Sequence, residues 1–226
     1  RYFDNEEYQN AIKSFQRHIQ IDPNHAPAYY WMGVIYYGQK VKNKAVSCFN
    51  KAVALDPTFL EAHHQLGLLY LEDEDLELSR DCFLHVISVN SADWRAWGNL
   101  CMVLRDLGEL DEAIFSGRHA TSLNPDSFHV WHNLGNVYKD MGRYHESVSC
   151  YEKARFLNPK NDVTHTGLGI AYQCAGDNDR AVGSFKMALK LNPSAGTAIS
   201  NLLNNYMMEC DWEKSSYYEK RIHNLT

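Results

Sequence analysis

Residues 128–161 read FHVWHNLGNVYKDMGRYHESVSCYEKARFLNPKN, and this stretch decides the fold. Trp131 is followed by Leu134 and Gly135, then by Tyr138, giving W-x2-L-G-x2-Y. Ser147, Tyr151, Ala154 and Pro159 complete a pattern of small residue, aromatic ring, alanine and proline. Written in rows of 34, the whole chain aligns with it without insertion or deletion.

The columns have physical meanings. Gly33, Gly67, Gly135 and Gly169 share one, completed by Cys101 and Leu203. Tyr2, Tyr36, Tyr70, Tyr138, Tyr172 and Tyr206 share another, with Leu104 the exception. Ala11, Ala45, Ser79, Ala113, Ser147, Ala181 and Ser215 stay small, so two helices can approach closely. Phe15, Phe49, Phe83, Tyr151 and Phe185 supply the large apolar surface for which the small positions leave room. Asp22, Asp56, Asn90, Asn124, Asn158 and Asn192 precede a column that is proline in all but one row. Asx-Pro ends a helix, because proline disfavours helical geometry in the residue before it. Gly108, Gly142 and Gly176 mark a turn where a left-handed backbone is expected.

On these residues the chain resembles the tetratricopeptide repeat (TPR) family over its whole length. The resemblance implies an all-α, right-handed solenoid, a superhelix of helix-turn-helix repeats. The expected organisation is a single array over 1–226. It has a partial repeat at 1–25, full repeats at 26–59, 60–93, 94–127, 128–161 and 162–195, and a partial end repeat at 196–226. The last row departs most: Leu203 replaces glycine, Glu219 stands at the aromatic position and Ile222 replaces alanine. It reads as an end repeat or a junction to another domain. Because the chain opens inside a repeat, it reads as a piece of a longer protein.

Composition narrows the partners. The net charge is −6 and the pI about 6.0, which argues against nucleic acid or an anionic membrane surface as the main partner. No apolar run is long enough to span a membrane, and no signal peptide is present. The expected location is intracellular, cytoplasmic or nuclear. Cys48, Cys82 and Cys150 fall in one column, so stacking holds them about 10 Å apart or more, beyond disulfide reach. All six cysteines, with Cys101, Cys174 and Cys210, are expected as free thiols in buried or half-buried positions, in a reducing compartment. The Asn224-Leu225-Thr226 triplet is a chance-level glycosylation sequon.

No Gly-rich phosphate loop, GxSxG or HExxH is present, so no catalytic residue is assigned. His129 and His132 lie three apart on one helix, but a metal site needs a third and fourth ligand. No metal and no cofactor are assigned. Glu72-Asp73-Glu74-Asp75 falls at an inter-helix turn and reads as a solvated loop.

The TPR resemblance implies an inner groove lined by the first helix of each repeat, at row positions two, five, six, nine, twelve and thirteen. The N-terminal half of that set is apolar and aromatic: Tyr30, Trp31, Val34, Tyr37, His64, Leu68 and Leu71. The C-terminal half is a track of amides, Asn99, Asn133, Asn136, Asn201 and Asn204, with Arg105, His132 and Lys139 among them. An Asn side chain offers donors and an acceptor that match a peptide unit. A row of them holds an extended peptide by its backbone; alternatively they bond among the helices and support the stack. The Lys/Arg/Asn carboxylate clamp of chaperone-binding TPR domains is not matched, since the fifth positions are Tyr30, His64, Gly98, His132, Thr166 and Ser200.

Asn99, Asn133 and Asn201 at the sixth position also resemble the TPR arm of O-GlcNAc transferases, where an asparagine ladder binds substrate backbones. Cys210-Asp211-Trp212 is similar to the segment that leads into that family's glycosyltransferase domain. Trp31, Gln65 and Gly167 break the ladder. This resemblance implies catalytic machinery beyond Thr226.

Three functional readings follow. The first is a scaffold binding an extended peptide or a partner helix. The second is the substrate-recruiting arm of such a transferase. The third is a structural subunit that forms a homodimer through its repeats.

Overall fold

A computed structural model describes residues 5–208 and 210–223, with the side chains of 5–7 and 221–223 outside the description. Tyr2, the Ile222 side chain and the Asn224-Leu225-Thr226 triplet lie outside the described residues. Every regular element among the described residues is an α-helix. The helices fall into two compact units, Arg1–Leu107 and Gly108–Thr226.

Unit 1 holds α1 (Asn5–Ile21), α2 (Ala26–Gly38), α3 (Lys42–Leu55), α4 (Leu60–Glu72), α5 (Leu76–Val89) and α6 (Trp94–Asp106). The pairs α2/α3 and α4/α5 are packed hairpins, and α3 packs on α4 as α5 does on α6. Unit 2 holds α7 (Leu110–Leu123), α8 (Phe128–Asp140), α9 (Tyr144–Leu157), α10 (Asp162–Cys174), α11 (Asn178–Leu191), α12 (Gly196–Met208) and α13 (Trp212–His223). Its hairpins are α8/α9, α10/α11 and α12/α13, with α7 packed on α8.

The glycine and aromatic columns interlock. A Cβ on Gly33 would stand 2.7 Å from Phe49, one on Gly67 2.8 Å from Phe83, and one on Gly169 2.5 Å from Phe185. Tyr151 fills the space left by two glycines, with a Cβ on Gly135 at 3.0 Å and on Gly167 at 2.8 Å. All four rings are fully buried. At two of the three serines in the small column the hydroxyl crosses the hairpin, while Ser215 Oγ donates to the Asp211 carbonyl. Ser79 Oγ donates to the Gly67 carbonyl and Ser147 Oγ to that of Gly135, each at 2.8 Å. That bond satisfies a polar group in a buried position.

The Asx column works as proposed and more. Each Asx Oδ1 accepts a backbone N–H two residues on, from Asn24, Thr58, Ala92, Asp126, Lys160 and Ser194 in turn. These Asx-turns carry the chain out of one repeat and into the next. The left-handed turn recurs in all six rows from residue 26 onward. Gly108, Gly142 and Gly176 take φ of +82°, +76° and +86°, and Lys40, Glu74 and Cys210 take 61°, 62° and 56° at the equivalent place.

A further column was not read from the sequence. At the fourth position of each of the five full rows a ring donates to the carbonyl six residues earlier, while the end row has Ile199 there. Tyr29 Oη reaches Pro23 at 3.4 Å, Trp97 Nε1 reaches Ser91 at 2.9 Å and Trp131 Nε1 reaches Pro125 at 2.8 Å. His63 and His165 do the same through Nε2, to Pro57 at 3.1 Å and Pro159 at 2.9 Å. A carbonyl only accepts, so Nε2 carries the proton in both histidines. Tyr, Trp and His interchange here because each puts a donor at the same point.

One expectation needs correction and another needs an addition. All six thiols are free, but Cys174 and Cys210 are exposed rather than buried. The first ends α10 and the second sits on the left-handed turn before α13, where no neighbouring helix covers them. The acidic turn is more than a solvated loop. Lys42 Nζ pairs with Asp73 at 2.6 Å and Glu72 at 3.3 Å, and Tyr37 Oη donates to Glu72 at 2.6 Å. The turn is exposed, yet it ties α4 to α2 and α3.

Candidate functional site

The candidate residues lie on the first helices of the hairpins, at positions five, six, nine and twelve. In unit 1 they are carried by α2, α4 and α6, and in unit 2 by α8 and α12.

In unit 1, Tyr30 packs between Phe49 and Phe59, at ring distances of 5.7 and 5.0 Å. Trp31 stands edge-on to it at 5.2 Å and remains 51% exposed. Val34, Leu68 and Leu71 are half-buried. Tyr37 is exposed, and its hydroxyl is already given to Glu72. His64 lies against Phe83, ring centroids 5.5 Å apart, and its Nε2 faces Asn99 Nδ2 at 3.3 Å. With the Asn99 amide as donor, His64 is neutral and protonated on Nδ1. Arg105 is paired with Asp106 at 2.6 Å.

In unit 2, His132 Nδ1 meets Thr164 Oγ1 at 3.1 Å, and its ring stands edge-on to Tyr151 at 5.4 Å. The Tyr151 hydroxyl donates to Asn136 Oδ1 at 2.5 Å. Lys139 pairs with Asp140 at 3.3 Å. Asn201 turns back on its own helix and donates to the Thr197 carbonyl at 2.8 Å. Asn133 is half-buried and Asn204 exposed, and neither hydrogen-bonds to another described residue. The amides therefore divide: Asn99, Asn136 and Asn201 are engaged, while Asn133 and Asn204 face outward uncommitted. Asn205, next to the track, is 3% exposed and leaves Nδ2 without a protein partner.

His129 lies on Phe128, ring centroids 3.8 Å apart, while His132 turns to Thr164 and Tyr151. Among the described residues no three His, Cys, Asp or Glu side chains are grouped to hold a metal ion. No described helix is long and apolar enough to cross a membrane.

Two histidines of α4 make unit 1 sensitive to pH. His63 titrates below the usual range, first because burial penalises its charged form and next because His85 lies beside it at 4.0 Å. The Pro57 carbonyl opposes this in part. Burial likewise lowers His64. The unfolded chain binds these protons more readily than the folded one, so stability is complete above about pH 6.5 and falls as pH drops below it. Unit 1 is expected to melt at a lower temperature near pH 5.5 than near pH 7.5. Hydrogen exchange on α4 and α5 checks this. A His63→Gln/His64→Gln variant showing the same pH slope would exclude these groups as its cause.

Helix hairpins repeating every 34 residues, locked by glycine–ring contacts and displaying side chains on their first helices, define an all-α repeat protein that acts through a surface. Tetratricopeptide repeat models match residues 1–40, 26–59, 48–81, 95–127, 129–161 and 164–198, and the chain belongs to the tetratricopeptide repeat family.

Solved structures share the fold at low identity. PilF of Pseudomonas aeruginosa is 18% identical, with a TM-score of 0.76 over 88% of this chain and 91% of its own. YrrB, described as a TPR protein with an unusual peptide-binding site, is 18% identical, with a TM-score of 0.68 over 84% of this chain and 98% of its own. MamA is 23% identical, with a TM-score of 0.65 over 75% of this chain and 92% of its own. A comparison with curated protein sequences finds no match. Family and fold together support a protein-interaction scaffold.

Proposed function

We propose that this scaffold binds an extended peptide on the first-helix faces of its repeats. The carrying observation is the division of the candidate side chains. Most polar groups there are spent on neighbours, while Trp31, Asn133 and Asn204 present a large ring and two whole amides outward. In unit 2 the amides of Asn133 and Asn204 suit a peptide main chain, and in unit 1 Trp31 suits an apolar side chain, each unit offering its own contact surface. YrrB, which shares the fold, is described as having a peptide-binding site, which supports the reading.

The Cys210-Asp211-Trp212 segment has a local explanation. Cys210 takes the left-handed turn, Asp211 Oδ1 accepts the Lys214 N–H at 3.2 Å as a cap on α13, and Trp212 is exposed. These roles account for the three residues without a transferase domain.

The test is a selection from an unbiased peptide library, followed by fluorescence anisotropy with the enriched sequences. Trp31→Ala or Asn133→Ala is expected to weaken binding by roughly fivefold or more, about 1 kcal/mol, with the helical signal unchanged. Unchanged affinity in both variants, or no enrichment at all, would sink the reading.

A further inference from the structure

Unit 1 holds a cavity of about 200 Å³ between α2, α4 and the start of α6. Its walls include Tyr30, Glu61, His64, Gln65, Asp93 and Arg95. The space equals roughly seven waters at their liquid volume, enough for a side-chain head group.

The charges in it do not cancel. Asp93 is 8% exposed and fully employed. It caps α6 by accepting the N–H groups of Arg95 at 2.9 Å and Ala96 at 3.2 Å, and it takes the Arg95 guanidinium at 3.3 Å. These bonds hold Asp93 ionised below the usual carboxylate range, against the penalty of its burial. Arg95 is thereby answered. Glu61 is exposed and makes no ion pair or hydrogen bond with any described residue. His64 adds no charge, since burial keeps it neutral. Two carboxylates against one guanidinium leave one net negative charge, located on Glu61.

The remaining walls are Leu60, the amides of Gln65 and Asn90, and the ring of Tyr30. Tyr30 is held by burial, and next by Glu61, in its neutral form. Its ring continues onto the half-exposed Trp31. An open carboxylate beside an aromatic face suits a planar cation, which pairs with the carboxylate while lying on a ring. An anion would meet Glu61, and the only guanidinium in the walls is taken.

Deepening the peptide reading on which it rests, we propose that this cavity takes the guanidinium of an arginine side chain in the bound peptide, with Glu61 as its counter-charge and the Tyr30 ring as its platform.

The test titrates the whole isotope-labelled chain with N-acetyl-arginine methylamide, its uncharged isostere N-acetyl-citrulline methylamide, and N-acetyl-lysine methylamide, followed by NMR. The arginine compound is expected to shift the resonances of Tyr30, Glu61 and His64 and to bind more tightly than the other two. Glu61→Gln, at an exposed position, is expected to weaken it about fivefold, the loss of one part-exposed charge pair. Equal shifts from citrulline, tighter binding of lysine, no shift at these residues, or full affinity in Glu61→Gln would each overturn the assignment. The peptide reading fails separately. A library that enriches nothing, beside an arginine compound that still binds, removes the peptide and keeps the cavity. A library that enriches peptides without arginine does the reverse.

Discussion

Phe185→Ala is expected to cost unit 2 about 3–5 kcal/mol, the range for deleting a buried aromatic side chain. Phe185 is fully buried, in a cluster with Leu168, Tyr172, Leu189, Ile199 and Leu202 from α10, α11 and α12. The cavity has little chance to collapse. The ring sits against Gly169, where an added Cβ would stand 2.5 Å from it, and backbone cannot swing into the space as a side chain does. Stability in a repeat protein is close to a sum of repeat terms and nearest-neighbour interfaces, so the loss falls on α10/α11 and the hairpins beside it. Urea unfolding followed by circular dichroism gives the magnitude, and hydrogen exchange gives the place. A loss below about 1.5 kcal/mol would mean that the repeat closes over the hole, contrary to the interlocking described here.

Tyr151 joins the core to the candidate site, and its two substitutions are expected to separate these roles. Tyr151→Ala removes a fully buried ring that fills the spaces of Gly135 and Gly167. It is expected to cost about 3–5 kcal/mol and to release the His132 ring that leans on it. Tyr151→Phe keeps the ring and removes only the hydroxyl that donates to Asn136. Its expected cost is about 1–3 kcal/mol, since the half-buried Asn136 Oδ1 loses its donor. That same loss gives Asn136 back its acceptor, one turn along α8 from Asn133. Peptide affinity in Tyr151→Phe is therefore expected to hold or rise while stability falls. Parallel losses of affinity and stability would show that Asn136 supports the stack and has no access to ligand.

The pattern in residues 128–161 was enough to place every helix pair, because each contact it encodes is local to one repeat. Glycine against ring, serine against carbonyl and Asx against the next turn all join residues within one row or at its seam. A period of 34 repeats those contacts down the chain. The fourth-position rings were equally local, and a reader looking for a donor type rather than a residue type would have found them. Tyr29, His63, Trp97, Trp131 and His165 share a ring donor but no name.

The site was legible only as a set of positions. Sequence put Asn99, Asn133, Asn136 and Asn201 in one track as equivalents, and packing made them unequal. Asn99 meets a histidine 35 residues away, Asn136 meets a tyrosine 15 away, and Asn201 bonds its own helix. Only Asn133 of these four keeps its amide unspent. The same holds for charge. Glu61 and Asp93 are both acidic residues at the start of a first helix, but Asp93 is buried and paired while Glu61 is open. A residue type fixes what a side chain is able to donate or accept. Whether that capacity is still available depends on partners brought within 3 Å or so by helices distant in the chain, and a hydrogen bond is lost over a few tenths of an ångström. The sequence by itself determined the family and the contacts that lock each hairpin, because shape complementarity within a repeat is written in its spacing. The tertiary structure alone decided which of the candidate side chains on the first helices keep their hydrogen-bonding groups unspent.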